Sequence, residues 1–318
     1  MILFRPRLHL IICVKQQKEY FTKGEKRTMR GTRWLIAAAG LFFMTRAGGQ
    51  ETTARAPGTD FRALTWNIWG DYFGNPPSER EDAVAAVLTR YAPDAMFLQE
   101  ITPNWHKAKL FKVLADEYGM VGADETCYTP LLYRKAACVL LDSGFELYHP
   151  KLDKSKGFAW AVLKLKDSGR TIIVFSTHFW WQSGAPSDYI RTVNASDLRG
   201  KLEKLRAKWQ CPVVGGGDFN CESASDPLQF FVAGGYASAQ FACADASAVS
   251  SEHGNPVRGT DNKYHGKPTV PNYTKNDSID HVLYTAAEWI PLRQRLVVDQ
   301  DAMDTSDHSP DYADLKFK

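Results

Sequence analysis

The 318-residue sequence lacks the features that mark several common protein classes. It has no CxxC pair and no Cys/His spacing suited to zinc, so a structural zinc site is not expected. No heptad, internal repeat or Pro/Ser/Gly-rich linker interrupts residues 61–318, which excludes a coiled coil or a solenoid and predicts one domain. The apolar run at residues 34–44 is too short for a comfortable membrane span.

The first fifty residues differ in character from the rest. From Met29 the chain carries Arg30 and Arg33, then the apolar residues 34–44, then small residues at 47–49, which is the order found in a secretory signal peptide. The predicted division is an upstream extension from a misassigned gene start (1–28), a signal peptide (29–49), a polar leader (50–59) and a folded domain (60–318). Export to the periplasm or the medium is expected. The alternative is a short N-terminal membrane anchor that stays attached.

The charge balance reverses once this leader is set aside. The chain has 39 basic and 36 acidic residues, of which 10 and 2 lie in residues 1–50, leaving 29 basic and 34 acidic residues. A mildly acidic domain has no general attraction for polyanions. Nucleic-acid binding would therefore require a local basic groove.

Six cysteines occur in the chain, and five of them fall in the predicted domain. They are Cys127, Cys138, Cys211, Cys221 and Cys243. An exported domain permits disulfides, and an odd number leaves at least one thiol unpaired. We expect most of them to be buried apolar side chains.

The domain alternates strand-like and helical segments. Residues 61–68 and 94–100 are predicted strands around an amphipathic helix at 78–91 that opens on a Ser/Glu capping sequence, an order that favours a parallel strand pair. Further helices are predicted at 105–118 and 187–209, and further strands at 131–135, 137–141, 145–149, 157–166, 170–179, 211–216, 278–284 and 310–317. The polar residues 250–277 are predicted to form a long surface loop. Mixed sheets covered by helices are the expected architecture.

Polar side chains recur at or just past the ends of the predicted strands. They are Asn67, Glu100, His178, Asp218, Asn220 and Asp280, whereas Asp307 and His308 lie in the loop before the last strand. Strand ends that meet at one rim of a sheet are where ligand-binding residues gather. Each position alone also suits a turn or a core residue, so the ordered recurrence is the informative signal.

The ordered segments WN, QE, TH, GDFN, SIDH and SDH resemble those of the endonuclease/exonuclease/phosphatase superfamily, the deoxyribonuclease I-like hydrolases, with the leader of an exported bacterial member. The resemblance spans nearly all of residues 61–318. It implies an α/β fold, a four-layered sandwich of two packed mixed sheets flanked by helices, with the site at one end. It also implies a divalent cation, magnesium or alternatively manganese.

The resemblance implies a role for each matching residue. Glu100 would be the main carboxylate ligand of the metal, Asn67 a neighbouring metal or phosphate contact, and Asp307 a further acidic group near the ion. Few protein oxygens and several waters suit magnesium. Trp69 stands where the abasic-site repair enzymes carry an acid, which argues against a repair nuclease.

The remaining matches imply the acid/base and phosphate-binding groups. They are His178 and Asn220 for the phosphate oxygens, Asp218 for the attacking water, and His308 oriented by Asp280. The choice of general base between the aspartate and the histidine stays open. His281 is interpreted as structural.

Substrate contacts are predicted at Trp180, Trp181, Arg191 and His265. The tryptophans could stack on a ring, lie against lipid or belong to the core, and Arg191 could pair with phosphate or with Asp188. Three functions stay open: a metal-dependent phosphodiesterase or phosphatase, a sphingomyelinase-like phospholipase C, and a binding module without activity. Retention of the acid/base set argues against the third. The expected partner is a phosphate ester, with no protein partner and a monomeric state.

Overall fold

The computed structural model describes residues 53–149, 152–266 and 274–318. The predicted extension, the signal peptide and the leader residues 50–52 lie outside this range, and the division predicted there stays a prediction. The strands are β1 (Phe61–Asn67), β2 (Ala95–Gln99), β3 (Tyr118–Val121), β4 (Leu131–Arg134), β5 (Cys138–Leu147), β6 (Gly157–Leu165), β7 (Thr171–His178), β8 (Val213–Asp218), β9 (Tyr236–Ser238), β10 (Val257–Arg258), β11 (Tyr264–His265), β12 (Asp280–Thr285), β13 (Trp289–Leu296) and β14 (Asp311–Phe317). The helices are α1 (Glu81–Tyr91), α2 (Pro103–Lys107), α3 (Leu110–Leu114), α4 (Ala185–Trp209), α5 (Asp226–Ala233), α6 (Ala239–Ala242) and α7 (Gln300–Met303).

Twelve of these strands form two six-stranded mixed sheets. The first sheet has the order β13-β14-β1-β2-β4-β3, and the second has the order β5-β6-β7-β8-β12-β9. The predicted parallel pairing of β1 with β2 is confirmed, and β7 with β8 is the other parallel pair in these sheets. Strands β10 and β11 form a separate hairpin. The predicted sandwich of two mixed sheets flanked by helices is confirmed.

The central strands of the two sheets are buried on both faces, which explains their nearly continuous apolar composition, whereas the edge strands β5 and β13 are partly exposed. Phe97 and Ala313 of the first sheet and Val174 and Val282 of the second belong to one core cluster between the sheets. The outer face of the first sheet packs against α1 to α3, and that of the second packs against α4 and α5. Together these clusters give the four layers.

Glycines bring the chain unusually close to its neighbours at the end of β8. A Cβ at Gly217 would lie 2.0 Å from the Thr177 carbonyl oxygen, and one at Gly216 would lie 2.9 Å from the Thr65 Cβ of the opposite sheet. Any side chain here would force β7 and β8, or the two sheets, apart. The run of glycines therefore has a packing reason directly before Asp218.

Several sequence predictions are wrong in detail. The segments 137–141 and 145–149 form one strand, β5, because a bulge between Leu140 and Asp142 carries the pairing with β6 through the polar interruption. The helix predicted at 105–118 is two short helices, α2 and α3, and its last residue begins β3. Helix α1 begins at Glu81 behind Arg80 and has no side-chain cap, so the predicted capping sequence is not used.

All five cysteines of the described chain are buried and free. Among the residues described, none of the helices combines the length and the apolar composition that crossing a membrane would require.

Candidate active site

Three adjacent strands of the second sheet carry polar side chains at the same level. Strands β7 and β8 end there, whereas β12 begins there, so Asp280 opens a strand instead of following one as predicted. His178 of β7 pairs in register with Asp218 of β8, and Asp218 pairs with Asp280 of β12. All three side chains are buried. The sheet register therefore fixes an imidazole and two carboxylates side by side, as the strand-end pattern predicts.

The first sheet supplies its residues from the ends of β1 and β2. The Asn67 amide nitrogen donates to Glu100 Oε1 at 3.2 Å and to Asp218 Oδ2 at 3.0 Å, while its oxygen accepts the Trp69 N–H. Glu100 has a φ of 61°, and its other oxygen accepts the Gly70 N–H at 2.7 Å. Asn67 thus links carboxylates of both sheets, and its predicted metal contact stays a prediction.

His308 and Asp280 form a buried pair. The His308 Nδ1 lies 2.7 Å from Asp280 Oδ2, and its Nε2 lies 3.9 Å from Asp307 Oδ1. Burial alone would lower the pKa of His308, but the carboxylates of Asp280 and Asp307 hold it well above its ordinary value. The ring is therefore an imidazolium with Nε2 directed toward the acidic group of Asp307.

His178 has the opposite electrostatic environment. The Lys156 Nζ lies 2.7 Å from its Nε2, and Asp218 Oδ2 lies 3.4 Å from the same nitrogen. Burial, and then the Lys156 ammonium, holds the pKa of His178 well below its ordinary value, so this imidazole is neutral. The site therefore contains one neutral and one charged imidazole, a separation typical of groups with different roles.

Lys156 is a functional candidate that the sequence did not reveal. Its side chain is 7% exposed, and burial lowers its pKa. Glu100, Asp218 and Asp153 attract the ammonium through space, but none of the ion pairs formed within the described residues includes it. A buried ammonium without an ion-pair partner is costly unless an anion binds to it.

Asn220 follows Asp218 in a left-handed turn, with a φ of 49°. Its backbone N–H donates to Asp218 Oδ1 at 2.8 Å, and its side-chain amide donates to the Phe179 carbonyl at 3.1 Å. This turn fixes the Asp218 carboxylate from the side opposite Asn67. The predicted phosphate contact of Asn220 is not tested by this geometry.

Two carboxyl groups of the site are candidate ligands for a divalent cation. Glu100 and Asp307 line the same cavity. Burial raises the pKa of Asp307 to about 6; the His308 imidazolium opposes this rise, and the Glu100 carboxylate adds to it. Two carboxyl groups that repel each other would be relieved by a cation, and their oxygens are the donors that magnesium prefers. The residues present therefore fit a divalent cation that prefers oxygen ligands.

A second acidic group lies deeper in the site. In the described part of the chain, Asp218, Asp280 and His308 place their ligand atoms within 4.8 Å of one another. Because His308 and Asp280 are already hydrogen-bonded to each other, we interpret this group as the acid/base set and not as a second cation site.

The segment 250–253 corrects the prediction of a surface loop over 250–277. The Ser251 hydroxyl accepts the Asp280 N–H, its carbonyl accepts the Ser309 N–H, and the His253 N–H donates to the Asp307 carbonyl. Ser251 and His253 are buried beside the loop that carries His308. A serine-rich stretch has no apolar pattern, so its burial arises from backbone pairing that composition does not reveal.

A buried arginine fixes the loop that follows β1. Arg80 is 2% exposed and donates only to carbonyl oxygens, those of Ile68, Trp69, Asn75 and Thr305, at 2.6 to 3.1 Å. The guanidinium thus ties this loop to the segment that leads into Asp307 and His308.

The predicted substrate residues fall into two groups. Trp181 is 58% exposed and lines the cavity that contains Glu100, whereas Trp180 is half-buried and donates from its indole to the Ser187 hydroxyl. Arg191 is buried, donates to the carbonyls of Trp180 and Gln182, and contacts Asp188. In this structure it holds the tryptophan loop.

His265 lies apart from the group that the structure brings together. It stands in the β10–β11 hairpin, is exposed, and contacts Asp261 at 2.9 Å. The hairpin touches the site through Tyr264, whose ring packs edge-on against Trp69 with centroids 5.8 Å apart.

Comparison with known proteins agrees with the family resemblance seen in the sequence. Residues 64–308 match the model of the Endonuclease/Exonuclease/phosphatase family. Human tyrosyl-DNA phosphodiesterase 2 is 33% identical over 171 residues, which cover 54% of this chain and 44% of the human protein. The chain thus spans less than half the length of that relative.

Two solved structures share the fold at lower identity. The mannosyl-6-phosphatase of Bacteroides thetaiotaomicron is 18% identical, with a TM-score of 0.65 over 81% of this chain and 100% of that one. D. rerio TDP2 in complex with a single-stranded DNA product is 22% identical, with a TM-score of 0.58 over 80% of this chain and 98% of that one. With its sandwich and its matched segments from 64 to 308, this chain belongs to the Endonuclease/Exonuclease/phosphatase family.

Proposed function

We propose that this chain is a divalent-metal-dependent phosphoesterase that hydrolyses a phosphodiester or phosphomonoester by in-line attack of an activated water. The observation that supports it most is the register that aligns His178, Asp218 and Asp280, with Asn67 and Glu100 facing them from the other sheet. A fold used only for binding has no need of such a buried acid/base set.

The metal would be held by Glu100 and Asp307. When bound, a divalent cation polarises a phosphoryl oxygen and offsets the charge that develops in the transition state. Asn67 holds the Glu100 carboxylate in place from one side, and the Gly70 N–H holds it from the other. Magnesium is the ion we propose, with manganese as the alternative.

We assign the acid/base roles from the hydrogen bonds that hold each group in place. Asp218 is fixed by the amides of Asn67 and Asn220 and is the group we propose to orient and deprotonate the attacking water. His308, charged and held by Asp280, stabilises a phosphate oxygen and can return a proton to the leaving group. Asp280 thus acts as a positioning residue for His308.

The phosphate itself would lie against cationic and neutral donors. Lys156 provides the buried positive charge, and neutral His178 provides an imidazole donor beside it. Asn220 stays a proposed contact to a phosphate oxygen. These donors are fixed before the substrate arrives, which is the arrangement that stabilises developing negative charge most effectively.

The test is hydrolysis in magnesium of bis-p-nitrophenyl phosphate, p-nitrophenyl phosphate, plasmid DNA and sphingomyelin. We expect turnover of at least one, with Asp218→Asn and His308→Ala each lowering kcat by about 10² to 10⁴-fold. The control is His149→Ala, because His149 is exposed and outside the site. No turnover on any substrate, with His308→Ala equal to wild type, would leave the proposed function without support.

A further inference from the structure

We propose that the cavity beside Glu100 and Asp307 is a subsite for a planar aromatic ring carried by the phosphate ester. The inference rests on the proposed function and narrows its substrate class. The cavity has a volume of about 450 Å³, of the size that takes a small ligand. Its floor carries Glu100, Asp307 and Lys156, and its walls are largely aromatic, with Trp69, Tyr72, Phe73, Tyr128 and Trp181.

Three of these aromatic side chains are exposed to an unusual degree. Tyr72 is 52% exposed, Phe73 72% and Trp181 58%. Large apolar side chains that converge on one concave surface next to polar groups are typical of ligand-binding sites, whereas isolated ones need no explanation.

The wall formed by Tyr72 and Phe73 lies beside the proposed metal ligand. A Cβ at Gly70 would lie 2.4 Å from the Tyr72 ring, so this ring lies directly against the Gly70 backbone, whose N–H binds Glu100. The rings of Tyr72 and Phe73 meet edge to face at 6.4 Å, and the Phe73 N–H donates to the Asn75 side chain.

The opposite wall is fixed by a second buried cation. Arg191 binds the carbonyls on both sides of Trp181, those of Trp180 and Gln182, as Arg80 binds the loop that bears Tyr72. The backbone that carries both aromatic walls is therefore held by hydrogen bonds before a ring binds, which lowers the entropy lost on binding.

The chemistry of the cavity selects a ring attached to phosphate. Lys156 is a buried cation at the same cavity and suits the anionic group, while the aromatic walls suit a π-face. Stacking of a base or an aryl ring on such side chains is tolerant of ring identity. A phenol ester and a nucleotide share this chemistry, and the experiment separates them.

The experiment measures binding instead of turnover, so that it stands apart from the test of hydrolysis. Titration calorimetry in magnesium buffer compares phenylphosphonate with methylphosphonate, and the non-hydrolysable 5′-phosphonate of thymidine with that of abasic deoxyribose. We expect the ring to tighten binding about tenfold in at least one pair. The pair with the larger preference identifies the source of the ring.

Phe73→Ala and Trp181→Ala are expected to abolish that preference while leaving methylphosphonate binding unchanged. Tyr189→Leu is the matched control, because Tyr189 is as exposed as Phe73 but does not line the cavity. A subsite that binds rings in a protein without phosphoesterase activity would refute the proposed function alone.

Four results would overturn the subsite itself. They are absence of binding by all four phosphonates, equal binding with and without a ring, equal loss of both ligands in the variants, and binding of mannose 6-phosphonate as tight as that of phenylphosphonate. Binding to sphingomyelin vesicles that is lost in Phe73→Ala and Trp181→Ala would reassign the aromatic walls to a lipid surface.

Discussion

At the scale of single residues, Lys156 is the most informative side chain of the site. Its ammonium is buried against the neutral His178 ring, so it destabilises the empty protein while being ready for an anion. A residue that served the fold alone would stabilise the protein and would not be needed to bind an anion. Stability and activity should therefore respond to its replacement in opposite directions.

Replacement of Lys156 by methionine keeps the length of the side chain and removes its charge. We expect kcat/KM to fall about 10² to 10³-fold, because a preorganised positive charge is lost. The free energy of unfolding should stay the same or rise by about 1 kcal/mol, because no buried charge remains. Steady-state kinetics and urea unfolding check both. Lys156→Arg should retain more activity than methionine, and a loss of stability in parallel with activity would assign Lys156 a structural role.

The buried carboxyl of Asp311 should make the free energy of unfolding depend on pH. Burial raises the pKa of this carboxyl to about 7, although Gln294 donates a hydrogen bond to it at 2.7 Å. The folded protein keeps a proton that the unfolded chain releases near pH 4. The free energy of unfolding should therefore fall as the pH rises from about 4 to about 7, by up to about 4 kcal/mol, and then level off.

Asp311→Asn should lack this pH dependence while keeping the shape of the side chain. The measurement is the difference in unfolding free energy between the two proteins, from urea curves at pH 4.5 and pH 7.5. We expect that difference to shift in favour of the variant at the higher pH. Parallel pH profiles would show that Asp311 is ionised in the folded state at both values.

At the scale of elements, the end of β8 is where packing and the site are coupled. Gly217 pairs with Thr177 one residue before His178 and Asp218 pair. The close approach at Gly217 therefore sets how near these two functional side chains lie.

Gly217→Ala should disrupt this pairing, because the added Cβ would lie 2.0 Å from a backbone oxygen. We expect a loss of about 2 to 4 kcal/mol of stability together with most of the activity. The control is Gly200→Ala in α4, where the added Cβ has open space and alanine favours the helix by roughly 0.5 to 1 kcal/mol. Thermal unfolding of both variants measures these changes in stability. A Gly217→Ala protein as stable as wild type would show that the close approach at Gly217 does not limit the packing of β7 against β8.

The sequence predicted the site best where a residue ends a strand. His178 and Asp218 end apolar strands whose parallel pairing brings them together, whereas Asp280 begins β12 and reaches them through antiparallel pairing with β8. Lys156 could not be predicted in this way, because a lysine in a short polar turn is normally exposed and its burial depends on contacts with β7. The bulge in β5 escaped prediction for a similar reason, since only pairing with β6 shows that the strand continues.

Trp181 was predicted as a substrate contact, but the wall formed by Tyr72 and Phe73 and the segment 250–253 were missed for a different physical reason. Tyr72 and Phe73 lie in a loop whose course is set by Arg80, a cation that hydrogen-bonds to carbonyls distant in the sequence. Hydrogen bonds to backbone carbonyls leave no trace in residue type. Sequence patterns therefore indicated Glu100, Asp307 and Trp181 of the cavity but not the loop that carries Tyr72 and Phe73.

At the scale of the whole molecule, metal binding should be visible in stability as well as in activity. EDTA should abolish hydrolysis, and magnesium should restore it. Magnesium at about one hundred times its Kd should also raise the free energy of unfolding by about 2.7 kcal/mol, because the ion binds the folded state alone. Differential scanning calorimetry with and without magnesium checks this.

Glu100→Gln is the matched variant for that measurement, since it keeps the shape of the side chain and removes its charge. We expect the stabilisation by magnesium to disappear in this variant. An equal magnesium effect in Glu100→Gln and wild type would place the ion elsewhere and count against Glu100 as its ligand.

The two sheets contribute different halves of the site: Asn67 and Glu100 from the first, and His178, Asp218 and Asp280 from the second. A folding intermediate with only one sheet formed would therefore lack a complete acid/base set, because Asp218 ends a strand of the second sheet and His308 lies in the loop before β14 of the first. Domains of this size commonly fold through such partly assembled states. Recovery of activity during refolding would consequently time the docking of the sheets, which makes the active site an internal reporter of the last step of folding.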